Sequence, residues 1–211
     1  MRRVLVATRS PHKLAELRQL LDLPGVELVS LEDLGIPGDP TEDGATFADN
    51  AIIKARWGVA RAELPTVADD SGIEVEALGG GPGVRTRRYA GEHASDAENN
   101  AKLMTELAAL GALLPEARRA RYVCVLACLR PDRPDDPLLA EGAFAGRIAT
   151  VPRGSGGFGY DPIFEPDFEP PGGRTVGQMT RAEKNAVSHR ARAATTLRRR
   201  LVTPNGGDWF A

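Results

Sequence analysis

The chain has 211 residues, 42% of them hydrophobic, enough for one sizeable core or two small ones. Its formal net charge is -2, so no global basic field recruits nucleic acid. No segment approaches the roughly 20 apolar residues of a membrane span, and Val4-Leu5-Val6-Ala7 is too short for a secretion signal, so the expectation is a cytoplasmic protein without membrane partners.

Val4 to Thr8 reads as a buried strand that feeds a helix from about Pro11 to Leu23, where Leu14, Leu17, Leu20 and Leu21 recur at helical spacing. Val26 to Leu31 is a second strand, and Gly35 to Gly44 a loop. Thr46 to about Arg61 is a helix with Phe47, Ala51, Ile52, Ala55 and Val59 on one side. Thr66 to Glu76 is a central strand interrupted by Ser71-Gly72. Ser95 to Leu110 is a helix capped by Ser95 or Asp96. Arg121 to Arg130 and Leu138 to Thr150 read as a long antiparallel pair joined by a polar turn over Pro131 to Pro137. Thr180 to about Leu201 is helical, and Thr180-Arg-Ala-Glu183 fits a capping box. The order predicts an α/β fold: a mixed sheet flanked by helices, forming one domain over residues 1–202 with a tail over 203–211.

Cys124 and Cys128 share one strand. On the same face they would stand about 13 Å apart, too far for a disulfide, and no His pairs with them at zinc-site spacing. They read as buried apolar thiols in a reducing compartment.

The chemistry concentrates in a few segments. In Ala68-Asp69-Asp70-Ser71-Gly72, adjacent side chains of an extended chain point to opposite faces, so one carboxylate can face a cleft while the other braces the backbone. A carboxylate so placed holds a hard cation or takes a proton from water. A surface turn suits the same residues equally. Gly154-Ser-Gly-Gly-Phe158-Gly159-Tyr160-Asp161-Pro162 combines glycines, which let amides approach a ligand, with two flat rings. Gly154, Gly156 and Gly159 spell G-x-G-x-x-G, but that fingerprint must open a helix, and Pro162 opposes one, so a dinucleotide fold is rejected.

Thr8-Arg9-Ser10-Pro11-His12-Lys13 joins a strand to a helix start, where free amides, two hydroxyls and a lysine suit a phosphate; ordinary capping by Ser10 is the alternative. Glu42 can supply an oxygen ligand beside Asp70, and Asn50 and Lys54, one turn apart, can face the same cleft. Lys184, Ser188, His189 and Arg190 meet at one junction if the last helix breaks at Ser188; a continuous surface helix is the alternative.

Taken together, these segments resemble the inosine triphosphate pyrophosphatase family, hydrolases of non-standard purine nucleoside triphosphates. The resemblance runs from about Val4 to Leu201. It rests on Ala7-Thr8...Lys13, Thr46-Phe-Ala-Asp-Asn50-Ala-Ile-Ile-Lys54-Ala-Arg56, Ala68-Asp-Asp-Ser-Gly72, Gly81-Pro-Gly83, Gly156-Gly-Phe-Gly-Tyr-Asp-Pro162 and Glu183-Lys184...Ser188-His-Arg190, in the family's order. The family usually carries Asn at the position of Ser10; Ser10-Pro11 is similar to the opening of the related Maf-type nucleotide pyrophosphatases.

The resemblance implies two α/β lobes around a long central sheet, a homodimer and a magnesium cofactor. It implies Asp70 as general base and metal ligand, with Glu42 the second acidic ligand. Thr8, Arg9, Ser10, Pro11, His12 and Lys13 would form the phosphate segment, and Ser71 would contact substrate near the metal. Phe158, Gly159 and Tyr160 would enclose the base, with Asp161, Lys184, His189 and Arg190 lining its hydrogen-bonding edge. Asp69, Asn50 and Lys54 would support the site. A Maf-like enzyme acting on other nucleotides and a non-catalytic single-strand-binding module are the rival readings; the second leaves Glu42 and Asp70 without a task.

Overall fold

The computed structural model describes residues 1–202 and 209. Six strands run in the order β2-β1-β3-β4-β5-β6. They are β1 (Arg2–Val6), β2 (Val26–Ser30), β3 (Thr66–Val75), β4 (Arg119–Arg130), β5 (Arg133–Ile148) and β6 (Phe164–Pro166). The sheet is mixed, as expected: β1 pairs in parallel with β2 and β3, and β5 pairs antiparallel with β6. The helices are α1 (Pro11–Leu20), α2 (Phe47–Ala62), α3 (Asp96–Ala109), α4 (Arg181–Val187) and α5 (His189–Leu201).

The chain divides into two compact units, one of residues 1–70, 124–142 and 189–211, the other of residues 71–123 and 143–188. The first unit has a core of Val4, Val6, Leu17, Leu21, Val67, Cys124, Leu126, Cys128, Ala193 and Leu197. Both thiols are free and fully buried, as read from the sequence, and burial pushes Cys124 up to about 12. The second unit centres on Ile73, Val75, Leu103, Leu107, Tyr122, Phe144, Tyr160 and Phe164.

Helix starts follow local chemistry. Thr46, Ser95 and Thr180 each cap a helix through a reciprocal capping box with Asp49, Glu98 and Glu183. Four boundaries differ from expectation. The first helix ends at Leu20 rather than Leu23, because Pro24 drives the residue before it out of the helical region. β3 runs unbroken through Ser71-Gly72; flanked by strands on both sides, it stays extended despite the glycine. The connection between β4 and β5 is Pro131-Asp132 alone, and Pro134 and Pro137 lie within β5 where its first residues are exposed or half-buried. The last helix breaks at Ser188, which is extended (φ -66°, ψ 160°) between α4 and α5.

Of the expected tail, residues 203–208, 210 and 211 lie outside the described residues. Trp209 packs against the first core, and its carbonyl accepts a hydrogen bond from Arg130 at 2.8 Å. Among the described residues, no helix is long and apolar enough to cross a membrane.

Candidate active site

In the first unit the adjacent carboxylates of β3 meet different partners, as alternation along a strand requires. Asp70 is 8% exposed. Its Oδ1 accepts from Lys54 Nζ at 2.8 Å and its Oδ2 from Asn50 Nδ2 at 3.3 Å. Lys54 and Asn50 are one turn apart on α2, so one helix face presents both donors. The Lys54 ammonium also reaches Glu42 Oε2 at 3.0 Å, so a single cation spans both carboxylates. Asn50 Oδ1 in turn accepts from the Gly44 amide at 2.9 Å, fixing the loop that carries Glu42.

Burial pushes the Asp70 carboxyl above the ordinary carboxylate range, and the Lys54 and Lys13 charges offset this only in part. Burial works against the Lys54 charge, but Asp70, Asp69 and Glu42 outweigh it and hold the ammonium protonated. A carboxylate whose pKa is raised by burial and which is tied to a cation suits a general base.

Asp69 points into the interior and is 1% exposed. Its Oδ2 takes Arg190 Nη2 at 3.0 Å and lies 3.1 Å from Lys13 Nζ. Arg190 is fully buried and spends Nη1 on Glu16 Oε2 at 2.5 Å. Burial alone would raise the Asp69 carboxyl; Lys13, Arg190 and Lys54 reverse this and hold it well below the usual range. β3, α1 and α5 are thus joined by one buried ion array. His189, in the first turn of α5, is buried as well.

The segment before α1 is arranged by its own backbone. Ser10 Oγ accepts from the Lys13 amide at 3.4 Å, Thr8 Oγ1 accepts from the Ser10 amide at 3.2 Å, and Pro11 takes the first helical position. The first turn carries no acidic residue, so the positive end of the helix is unopposed there. Arg9 turns aside: its Nη2 donates to the Ile36 and Gly38 carbonyls, both at 2.6 Å, and fastens the loop that leads to Glu42. His12 is exposed.

In the second unit the glycine-rich loop is wound around Asp161, which is 1% exposed. Its Oδ2 accepts from the Phe158 amide at 2.9 Å and from Lys184 Nζ at 2.7 Å, and its Oδ1 from the Tyr122 hydroxyl at 3.2 Å. Burial, then the Asp161 charge, raises Tyr122 well above its ordinary value, so it stays a donor. Gly157 has φ +75°, and a β-carbon there would collide with the Asp161 carboxylate. A three-residue 3-10 turn, Asp161–Ile163, follows the loop rather than the α-helix a dinucleotide fingerprint needs. The Lys184 ammonium lies 4.2 Å from the Phe158 ring centroid.

The two aromatics of the loop differ. Phe158 is half-buried, whereas Tyr160 is 2% exposed, sits in the second core and donates its hydroxyl to the Thr86 carbonyl at 2.8 Å. Gly159 is gripped at both ends from α3: its amide donates to Asp96 Oδ2 at 2.6 Å, and its carbonyl accepts from Asn100 Nδ2 at 3.1 Å. Ser71 is half-buried in β3.

The structure therefore gathers Lys13, Glu42, Asn50, Lys54, Asp69, Asp70 and Arg190 within the first unit, and Phe158, Gly159, Tyr160, Asp161 and Lys184 within the second. Sequence reasoning missed Glu16, Asp96, Asn100 and Tyr122. Asp96 and Asn100 carry a local signal, polar residues at i and i+4 at a helix start; Glu16 carries none, since its partner lies 174 positions away.

Among the described residues no group of three or more His, Cys, Asp or Glu side chains could hold a metal ion. Glu42 and Asp70 nevertheless suit magnesium, which uses one or two carboxylates and completes its shell with waters and substrate phosphates; both already meet at one cation.

Known proteins resemble this chain over nearly its whole length. The model of the Ham1 family matches residues 4–200. The dITP/XTP pyrophosphatase of Corynebacterium diphtheriae is 46% identical over 92% of this chain and 94% of its own. That of Ralstonia nicotianae is 47% identical over 95% of this chain and 97% of its own. The solved structure of a HAM1 protein from Coxiella burnetii superposes with a TM-score of 0.86 at 39% identity, covering 96% of this chain and 99% of that one.

Proposed function

This chain belongs to the Ham1 family, and from that premise we propose that it hydrolyses non-standard purine nucleoside triphosphates, ITP, dITP and XTP, to the monophosphate and pyrophosphate. It is an enzyme, a hydrolase of phosphoric anhydrides. The observation that carries the reading is Asp70: a buried carboxylate with its pKa raised, held by Lys54 and Asn50 beside a second carboxylate, Glu42.

Asp70 takes a proton from a water whose oxygen attacks the α-phosphorus. The bond from the α-phosphorus to the bridging oxygen breaks, and pyrophosphate leaves with the bonding pair. Glu42 and Asp70 would hold magnesium, which when bound spreads the charge that gathers on the phosphate oxygens. Lys13 and the start of α1 hold phosphates, supported by the unopposed dipole of that helix end. Ser71, next to Asp70 in the chain, contacts the substrate near the metal.

Phe158 offers the base a face, and Lys184 is the donor beside it. Tyr160 and Asp161 act by shaping the loop, since both are buried and bonded within it. Arg190 likewise acts from behind, through Asp69, rather than by reading the 6-keto edge. A site built to donate to a 6-keto oxygen penalises adenine, because its donors are then left unpaired, by roughly 10⁴ in favourable cases.

The family resemblance supports a homodimer, which sedimentation velocity would read. The reduced, buried thiols support a cytoplasmic setting.

The test is pyrophosphate release from ITP, dITP, XTP, GTP, ATP and dTTP with and without magnesium. The reading expects magnesium-dependent release with the 6-keto, 2-amino-free purines first. Equal rates on ATP, or dTTP as the preferred substrate, would refute it.

A further inference from the structure

We propose that Lys54 is a tethered cation that occupies the metal position in the nucleotide-free enzyme, so that metal entry is coupled to nucleotide binding. This rests on the reading above that Glu42 and Asp70 are the metal-holding carboxylates.

The geometry leaves little room for another arrangement. Lys54 Nζ is 2.8 Å from Asp70 Oδ1 and 3.0 Å from Glu42 Oε2, and its side chain is only 11% exposed. The other oxygen of Asp70 is taken by Asn50. Each oxygen of Asp70 therefore has a donor before any metal arrives, and a magnesium ion that joins Asp70 to Glu42 at about 2.1 Å from each competes with the donor that already lies between them. The Asn50 amide is pinned by the Gly44 bond and carries no charge; the Lys54 ammonium sits on a flexible stem, and a cation repels it. Lys54 is the group that yields.

Once displaced, the ammonium needs a new anion. Among the described residues, Glu42 and Asp70 are the carboxylates that ion-pair with it. Metal alone offers it nothing, whereas a nucleotide brings phosphate oxygens. Nucleotide thus lowers the cost of moving Lys54, and by linkage metal and nucleotide raise each other's affinity by the same factor. The consequence is a site that holds its carboxylates in place without metal and binds metal weakly until substrate is present.

Lys54→Met keeps the stem and removes the charge. Titrating nucleotide-free protein with Mn²⁺ and following free Mn²⁺ by electron paramagnetic resonance should show at least about tenfold tighter binding than in the parent, within the range typical of such couplings. Adding Glu42→Gln to Lys54→Met should abolish the gain. If Lys54→Met binds Mn²⁺ no more tightly than the parent, while Glu42→Gln weakens the parent's binding, the coupling is refuted and the carboxylate assignment stands. If Glu42→Gln changes Mn²⁺ binding in neither background, the carboxylate assignment fails and the inference with it.

A second measurement needs no variant. In the parent labelled with ¹³C-lysine, the Lys54 side-chain resonance should shift when magnesium is added to saturation. A resonance that stays in place overturns the inference.

Discussion

The carboxylate pair of β3 and the glycine-rich loop hold their charges in different ways. Around the first, three acidic side chains and three basic ones interlock: Glu16 and Asp69 with Arg190, Asp69 with Lys13, and Asp70 with Lys54. In the second, Asp161 gathers a cation, a hydroxyl and a backbone amide, the Asp96 carboxylate takes the Gly159 amide, and Asn100 and Tyr160 add neutral bonds. Removing a member of an ion array leaves an uncompensated charge in a low-dielectric interior, whereas removing a neutral donor leaves a modest deficit. The charged groups around β3 should therefore respond to substitution with large losses of turnover or stability, and the neutral groups of the loop with graded losses of affinity.

The largest effect is expected at Asp70. Asp70→Asn keeps the shape, leaves one oxygen to accept from Lys54 or Asn50, and removes the base; it should lower turnover on ITP by roughly 10²–10⁴. Steady-state pyrophosphate release reads this directly. A variant that folds normally and stays within a few-fold of the parent would place the base elsewhere.

Arg190→Ala comes next, and it tests the comparison most sharply. It leaves Asp69 and Glu16 facing one another's burial without their shared cation, at a cost of about 3–5 kcal/mol in unfolding free energy. Urea denaturation measures it. Because the guanidinium is sealed from solvent, the ITP-to-ATP preference should change little in whatever protein remains folded. A stable variant with a narrowed preference would instead return Arg190 to the base edge.

The same array sets a pH signature. Asp69, held below the ordinary carboxylate value, contributes stability that is fully present above its unfolded pKa of about 3.9 and is lost as pH falls through the lower folded value. The stability gap between parent and Asp69→Asn should thus be level at neutral pH and close only in strong acid. Asp70, with a raised pKa, works in the opposite sense: its contribution is present below the unfolded value and lost as pH rises through the folded one.

Much of this was readable in the sequence, for reasons that are local. Capping boxes lie within four residues, strand alternation separates Asp69 from Asp70, and α2 carries Asn50 and Lys54 at adjacent turns. What was not readable is which side chains face the interior. Arg190 and Tyr160 are polar or amphipathic residues beside a motif, and their types suit an exposed binding role as well as a buried one. Their partners, Glu16 and the Thr86 carbonyl, lie 174 and 74 positions away, so no spacing rule points to them. Arg9 is the same case: adjacent to the phosphate segment, it is drawn off by carbonyls 27 and 29 positions along.

In the second unit, Phe158→Ala should weaken every purine triphosphate by roughly 1–3 kcal/mol, the worth of one stacked base, and leave the ITP-to-ATP ratio nearly intact. The ratio of catalytic efficiencies on the two substrates reads it, and a changed ratio would mean that the ring also discriminates.

The smallest effect separates the two rings of one loop. Tyr160 was expected beside the base, but its ring lies in the second core and its hydroxyl is committed to Thr86. Tyr160→Phe keeps the packed ring and removes one hydrogen bond. The loss should be about 0.5–1.5 kcal/mol of stability, a fall in melting temperature of roughly 2–4 °C per kcal/mol for a chain of this size. The Thr86 carbonyl is in a half-buried turn, so water can replace the lost donor and keep the penalty near the low end. KM for ITP should stay within about twofold of the parent, since the hydroxyl is committed to the Thr86 carbonyl and the grip on Gly159 by Asp96 and Asn100 remains. If instead stability is unchanged and KM rises by tenfold or more, the hydroxyl serves the substrate, and the division of labour between Phe158 and Tyr160 drawn from their burial is wrong.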